Sequence, residues 1–184
     1  INRSSQERIR CKQQVSKSKN NPFFLEKSVG NISDRLVTTD INGNIYYCYF
    51  DGSIEKKTFT QLSDSHFFTA ADIDTDGRNE YLFADYNILR IFDDSGKQIL
   101  EKKFDSNISF QLNVYSFSRR NIEIGICLED ENKIFLIDKE GNNHEGFPLK
   151  GNTEFSIGFS KTGDKSFNLY VGDNRNFLLN YSVQ

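Results

Sequence analysis

The chain has 184 residues, 36% of them hydrophobic and 14% aromatic, with 17 Phe and 8 Tyr but neither Trp nor Met. That aromatic content excludes a disordered chain, and the length is sufficient for a domain with its own core. A formal net charge of −3, from 23 basic and 26 acidic residues, leaves no electrostatic case for nucleic acid or an anionic membrane surface.

Residues 1–34 form a polar N-terminal segment or linker, basic at Arg8, Arg10, Lys12, Lys17 and Lys19 and without apolar periodicity. No apolar run there is long enough for a signal-peptide core or a membrane span. The chain starts at Ile1 rather than Met, and the repeat count below favours a piece of a longer protein. Asn21-Pro22 breaks any helix, because proline lacks a donor and disfavours helical geometry in the residue before it. Phe23, Phe24 and Leu25 then read as a short strand docking on the main body.

From residue 35 to 184 the chain repeats. Short apolar runs close on Asp40, Asp85, Asp130 and Asp173, at spacings of 45, 45 and 43. Each is followed by a turn and a second strand-like run, over 45–50, 88–92, 134–137 and 177–181. Glycine turns at Gly52, Gly96 and Gly141 repeat the interval. Third strands are expected over 54–59 and 99–104, and fourth strands over 67–73, 110–117 and 155–159. Four short strands per period of about 45 residues predict an all-β fold, a β-propeller or partial propeller built from four-stranded blades. A sheet apolar on both faces must stack between neighbours to be stable. The competing fold is a β-sandwich with fortuitously regular strands, which the matched intervals disfavour. Three full repeats and half a fourth are present, which predicts an open arc or part of a larger ring.

The segment Ile134-Phe135-Leu136-Ile137-Asp138-Lys139-Glu140-Gly141, followed by Glu145-Gly146-Phe147-Pro148-Leu149, resembles the strand pair of bacterial propeller repeats of the quinoprotein-like and FG-GAP (VCBS) groups. The resemblance covers residues 35–184 and implies a propeller in an envelope or secreted protein, hence an extracytoplasmic location: periplasm, cell surface or medium. It also implies that no quinone cofactor is bound. Quinone-dependent propellers carry a docking motif ending Gly-Lys-x-x-Trp, whereas Gly96-Lys97-Gln98-Ile99-Leu100 has Leu at that place.

One motif carries chemistry. Asp72-Ile73-Asp74-Thr75-Asp76-Gly77-Arg78-Asn79-Glu80 sets carboxylates at alternate positions of a tight loop, where they can converge on one hard cation. The candidate ligands are Asp72, Asp74, Asp76, the backbone carbonyl of Arg78, and Glu80, with calcium the expected ion in a structural role. The motif is not an EF-hand, whose twelfth position would be Phe83. It resembles the FG-GAP calcium loop, expected between the last strand of one blade and the first of the next. A plain Asp/Gly turn without metal is the alternative. The corresponding loops at 118–121 and 161–164 lack the acids.

The remaining polar residues carry less. Cys11, Cys48 and Cys127 form no CxxC, so a zinc site or disulfide framework is not expected, and one disulfide is left open. His66 is expected at a strand edge and His144 in solvent. No nucleophile elbow, phosphate loop or dinucleotide fingerprint is present. The acid pairs Glu129/Asp130 and Asp93/Asp94 read as turn residues, and the sequons at Asn2, Asn31, Asn107 and Asn180 as chance. The functional expectation is a non-enzymatic module for protein or glycan binding or scaffolding, within a larger protein supplying further blades. The alternatives are part of a polysaccharide hydrolase or lyase, and a purely structural spacer.

Overall fold

The computed structural model describes residues 21–27, 30, 33–159 and 166–183. Those residues form four antiparallel sheets. The first holds β1 (Phe24–Glu26), β2 (Arg35–Thr39), β3 (Ile45–Tyr49) and β4 (Ile54–Lys57), paired in that order. The second holds β5 (Phe67–Ala71), β6 (Glu80–Asp85), β7 (Ile88–Phe92) and β8 (Gln98–Lys103). The third holds β9 (Asn113–Ser118), β10 (Asn121–Leu128), β11 (Lys133–Ile137) and β12 (Leu149–Lys150). The fourth holds three strands, β13 (Phe155–Gly158), β14 (Phe167–Gly172) and β15 (Leu178–Val183). Among the described residues there is no α-helix, and the sheets do not close into a ring.

The alternation of side chains along each central strand assembles the stack. On β6, Tyr81 and Phe83 join a core with Val37, Ile45 and Tyr47 of the first sheet, while Leu82 and Ala84 join Ile124, Ile126 and Leu128 of the third. On β10 the opposite parity, Cys127, meets Phe155, Phe167 and Leu169 of the fourth sheet. A strand apolar at every position is what a sheet buried on both faces requires. Burial pushes the Cys127 thiol up to about 12, so it behaves as a small apolar residue.

The turns repeat one device. The Asp40, Asp93, Asp138 and Asp173 carbonyls accept from the amide three residues on, contributed by Gly43, Gly96, Gly141 and Asn176, all at positive φ. Each aspartate's side chain also accepts from the amide four residues on, at 2.8–3.0 Å. Burial works against the Asp173 carboxylate, but the Phe177 and Arg175 amides and the Arg175 guanidinium outweigh it and hold the group at about 2.

Two expectations need correction. The strand over 67–73 opens the second sheet rather than closing the first, so the blade boundary lies one strand earlier in the repeat; β9 and β13 likewise open their sheets. The third repeat does have a further strand, β12, too short at two residues to leave a periodic signal. The short strand expected around Phe24 and Leu25 is β1, which docks on the main body by pairing Leu25 with Leu36 in the first sheet; Cys11 lies outside the described residues.

Candidate metal centre

The acidic loop is the connection from β5 to β6. It lies inside one sheet, as a hairpin, and not between two blades as expected. Ala71 pairs with Glu80 at its base, so the loop is anchored on a buried ladder. Within it the backbone turns through Thr75 (φ 66°) and Gly77 (φ 92°). Left-handed backbone at Gly77 costs nothing for want of a Cβ. The loop acids organise this turn: Asp74 Oδ1 accepts from the Asp76 amide at 3.0 Å, Asp76 Oδ1 from the Arg78 amide at 2.8 Å, and Asp72 Oδ2 from the Gly77 amide at 3.0 Å.

Carboxylate oxygens of Asp72, Asp74 and Glu80 lie within 4.8 Å of one another. Asp76 is outside that group, its carboxylate serving the turn, and the Arg78 side chain leaves for Asp94 at 3.0 Å. Glu80 is 3% exposed and accepts from the Ile73 amide at 2.8 Å. Its burial, and beyond that the negative charge of Asp74, Asp72 and Asp76, pushes its carboxyl up to about 7. Asp72 Oδ1 is buried and has no hydrogen-bond partner. An acceptor aimed inward without a donor, beside two further carboxylates, is a set of hard oxygen donors that suits a divalent cation. Of the four expected carboxylate ligands, Asp72, Asp74 and Glu80 are brought together and Asp76 is not.

Beside the loop, the seam between the first two sheets holds a polar cluster that the sequence reading missed. Arg35 Nε donates to Glu26 Oε2 at 2.6 Å, with both side chains under 10% exposed. The guanidinium lies over the Tyr47 ring at 3.8 Å and donates to the Tyr49 and Tyr81 hydroxyls. Tyr81 donates to Glu26 Oε1 at 2.8 Å, as does Asn79 at 3.3 Å. Burial opposes the Arg35 charge, and the bonds to Glu26 and Tyr49 more than restore it, so its pKa is raised. Glu26, Arg35, Asn79 and Tyr81 of this cluster line a cleft of about 180 Å³, together with Leu25, Lys27, Gly77, Arg78 and Asp94. A signal was available: Arg35 shares strand parity with Val37 and Thr39, which places a cation on the inward face.

Both histidines are placed differently from expectation. His66 is fully buried. Its Nδ1 lies 2.7 Å from the Ser63 carbonyl and its Nε2 2.9 Å from Asn21 Nδ2. A carbonyl on one side and an amide donor on the other assign the donor role to Nδ1 and the acceptor role to Nε2. His144 is not a solvent residue: its Nδ1 meets both Glu123 oxygens, at 2.9 and 3.1 Å, and its ring packs among Phe117, Phe147 and Phe167. Each histidine ties segments together, which in both cases is a structural arrangement.

No protein-family profile and no curated protein matches the chain. Solved structures do. A crystal structure of BBS1N in complex with ARL6DN, soaked with mercury, superposes with a TM-score of 0.65 at 10% identity, covering 91% of this chain and 52% of that one. The same complex soaked with lead gives a TM-score of 0.59 at 8% identity, covering 91% and 55%. The chain therefore spans about half the length of the structures it matches. At such identities the likeness concerns the fold alone, and it is the fold of a β-propeller domain: the four stacked sheets are propeller blades.

Proposed function

We propose that the chain is a non-catalytic propeller module that binds a protein partner, and that the acidic loop holds a structural calcium ion at the rim of the binding cleft. The observation that carries the reading is the adjacency of the two features: Gly77, Arg78 and Asn79 belong to the loop and also line the cleft floored by Glu26, Arg35 and Tyr81. A cation held by Asp72, Asp74 and Glu80 neutralises three converging acids and fixes the loop, and so fixes that rim. The cleft offers the ion pairs Arg35–Glu26 and Arg78–Asp94 beside Tyr81, and Arg and Tyr are prominent in protein-binding hot spots. BBS1N, the propeller of similar fold, was crystallised in a protein complex.

The acid spacing of the loop, though not its place inside a blade, supports placing the repeats with the FG-GAP type. Calcium of that type is plentiful outside the cell, so the proposed location is extracytoplasmic, in a larger parent protein. A photo-crosslinking side chain at position 79 tests the reading. It should yield a calcium-dependent adduct with a protein of the source cell, absent when the same group stands at Lys103 on the far edge of the second sheet. Adducts of equal yield from both positions, indifferent to calcium, would count against it. A glycan partner is the second reading, favoured by the amide and hydroxyl hollow of Asn42, Asn44, Thr58 and Gln61.

A further inference from the structure

In the cleft between the first two sheets the acceptors are occupied and the donors are in excess. The buried Glu26 carboxylate accepts from Arg35, Tyr81 and Asn79. The Tyr81 hydroxyl, fully buried, donates to Glu26 and accepts from Arg35. Asp94 accepts from Arg78. A guanidinium carries five N–H groups. Arg35 uses three of them, one each on Glu26, Tyr49 and Tyr81, and Arg78 uses one, on Asp94. The Lys27 ammonium bonds Asp34 at 3.3 Å and is otherwise open to solvent.

The charges point the same way. Among the residues lining the cleft, Lys27, Arg35 and Arg78 are cationic while Glu26 and Asp94 are anionic. Arg35 is held rigidly, with its side chain 8% exposed and its guanidinium over the Tyr47 ring. A fixed guanidinium with N–H groups left over suits a carboxylate, because its fork matches both oxygens and little side-chain freedom is lost on binding. Arg78, 53% exposed, is joined to Asp94 by a surface ion pair, a weak tie that leaves it free to turn to an incoming anion. A cationic ligand is served worse, since the Glu26 oxygens are taken and Asp94 stands alone. A volume of about 180 Å³ gives room for a side chain and not for a folded element.

We propose that the cleft receives a carboxylate, the side chain of an aspartate or glutamate in an acidic segment of the partner protein, between the guanidinium groups of Arg35 and Arg78. The proposal rests on the protein-binding reading of this cleft and supplies the partner's chemistry. The acids of the adjoining loop oppose such a group when they are bare, and Asp76 is the nearest in the chain, accepting from the Arg78 amide.

The test is a titration of the full chain in calcium buffer with capped tripeptides at millimolar concentration, Ala-Glu-Ala, Ala-Gln-Ala and Ala-Lys-Ala. It is read by nuclear magnetic resonance from the side-chain Nε–H signals of Arg35 and Arg78. The glutamate peptide should give saturable shifts, the glutamine peptide should bind at least about tenfold more weakly, and the lysine peptide should give none. Arg78→Gln, on an exposed side chain, should weaken the glutamate peptide at least about fivefold, whereas Lys103→Gln should leave it unchanged. Chelator, by baring the loop acids, should weaken it as well. Equal binding of the glutamate and glutamine peptides, a response to the lysine peptide, or silence from both arginines would overturn the proposal. Tighter binding of a phosphoserine version would also overturn it, by making phosphate the preferred anion. A calcium-dependent crosslink at position 79 beside failed peptides sinks this inference and keeps the reading beneath it; glutamate binding without any crosslinked protein does the reverse.

Discussion

At the scale of single residues, Glu80 is the most informative. Its carboxyl is raised from the ordinary glutamate range to about 7, first by burial and then by the neighbouring aspartates. An acid whose folded pKa lies above its unfolded value binds a proton on folding, so stability is full below about pH 4.5 and is lost as pH rises through 7. In calcium-free buffer the melting temperature should therefore fall between pH 5 and 8, and Glu80→Gln should flatten that fall; thermal melts across the range check this. A cation in the loop reverses the sign, because it favours the charged form. The loop was legible in the sequence, since alternating acids around Asp76-Gly77 announce themselves. Which acids converge was not, because side-chain direction depends on the two left-handed residues, Thr75 and Gly77. Two glycine turns of the second sheet frame a further expectation. Gly77 and Gly96 share φ 92°, but a Cβ on Gly77 meets nothing within 4 Å, while one on Gly96 comes 2.7 Å from the Phe59 ring. Denaturant unfolding should show Gly77→Ala costing about 1–2 kcal/mol for its backbone alone, and Gly96→Ala costing distinctly more.

At the scale of elements, the seams between sheets decide stability. The Glu26–Arg35 pair joins β1 to β2 and, through Tyr81, to β6 of the next sheet. Removing one partner strands a buried charge, so Glu26→Ala should cost about 3–5 kcal/mol. Glu26→Leu combined with Arg35→Met should cost less than Glu26→Ala, because no charge is then left uncompensated; urea unfolding of the two variants measures the difference. The strands themselves were readable from runs such as Leu82 to Asp85 and Ile134 to Ile137, because a strand buried on both faces is apolar without interruption. Their grouping was harder. Phe67 follows Phe59 in the chain, yet β4 and β5 lie in different sheets, and only the pairing of Phe67 with Ala84 shows where the boundary falls. His66 and His144 misled for a related reason. Each sits in a polar sequence context, Ser63 to Ser65 and Asn142 to Glu145, while a side chain that holds its ring lies far off in the chain, Asn21 for His66 and Glu123 for His144.

At the scale of the whole molecule, four sheets stack through three apolar seams into an open run of propeller blades. The period of about 45 residues revealed that architecture, since Asp40, Asp85, Asp130 and Asp173 each stand at or just past the end of the second strand of successive sheets. Function was less legible, because propellers carry their specificity in loops and clefts made from distant segments; Glu26 and Tyr81 are 55 residues apart. In the proposed function the loop between β5 and β6 is the ion-braced rim of the interaction cleft. Calorimetric titration of calcium into the chelator-treated chain, beside Asp74→Asn, tests that claim most directly. The prediction is one saturable site in the wild type that vanishes in the variant, together with a calcium-dependent rise in melting temperature that the variant lacks. Absence of heat and of any melting shift in the wild type would contradict it, leaving residues 72–80 as a hydrogen-bonded turn without an ion.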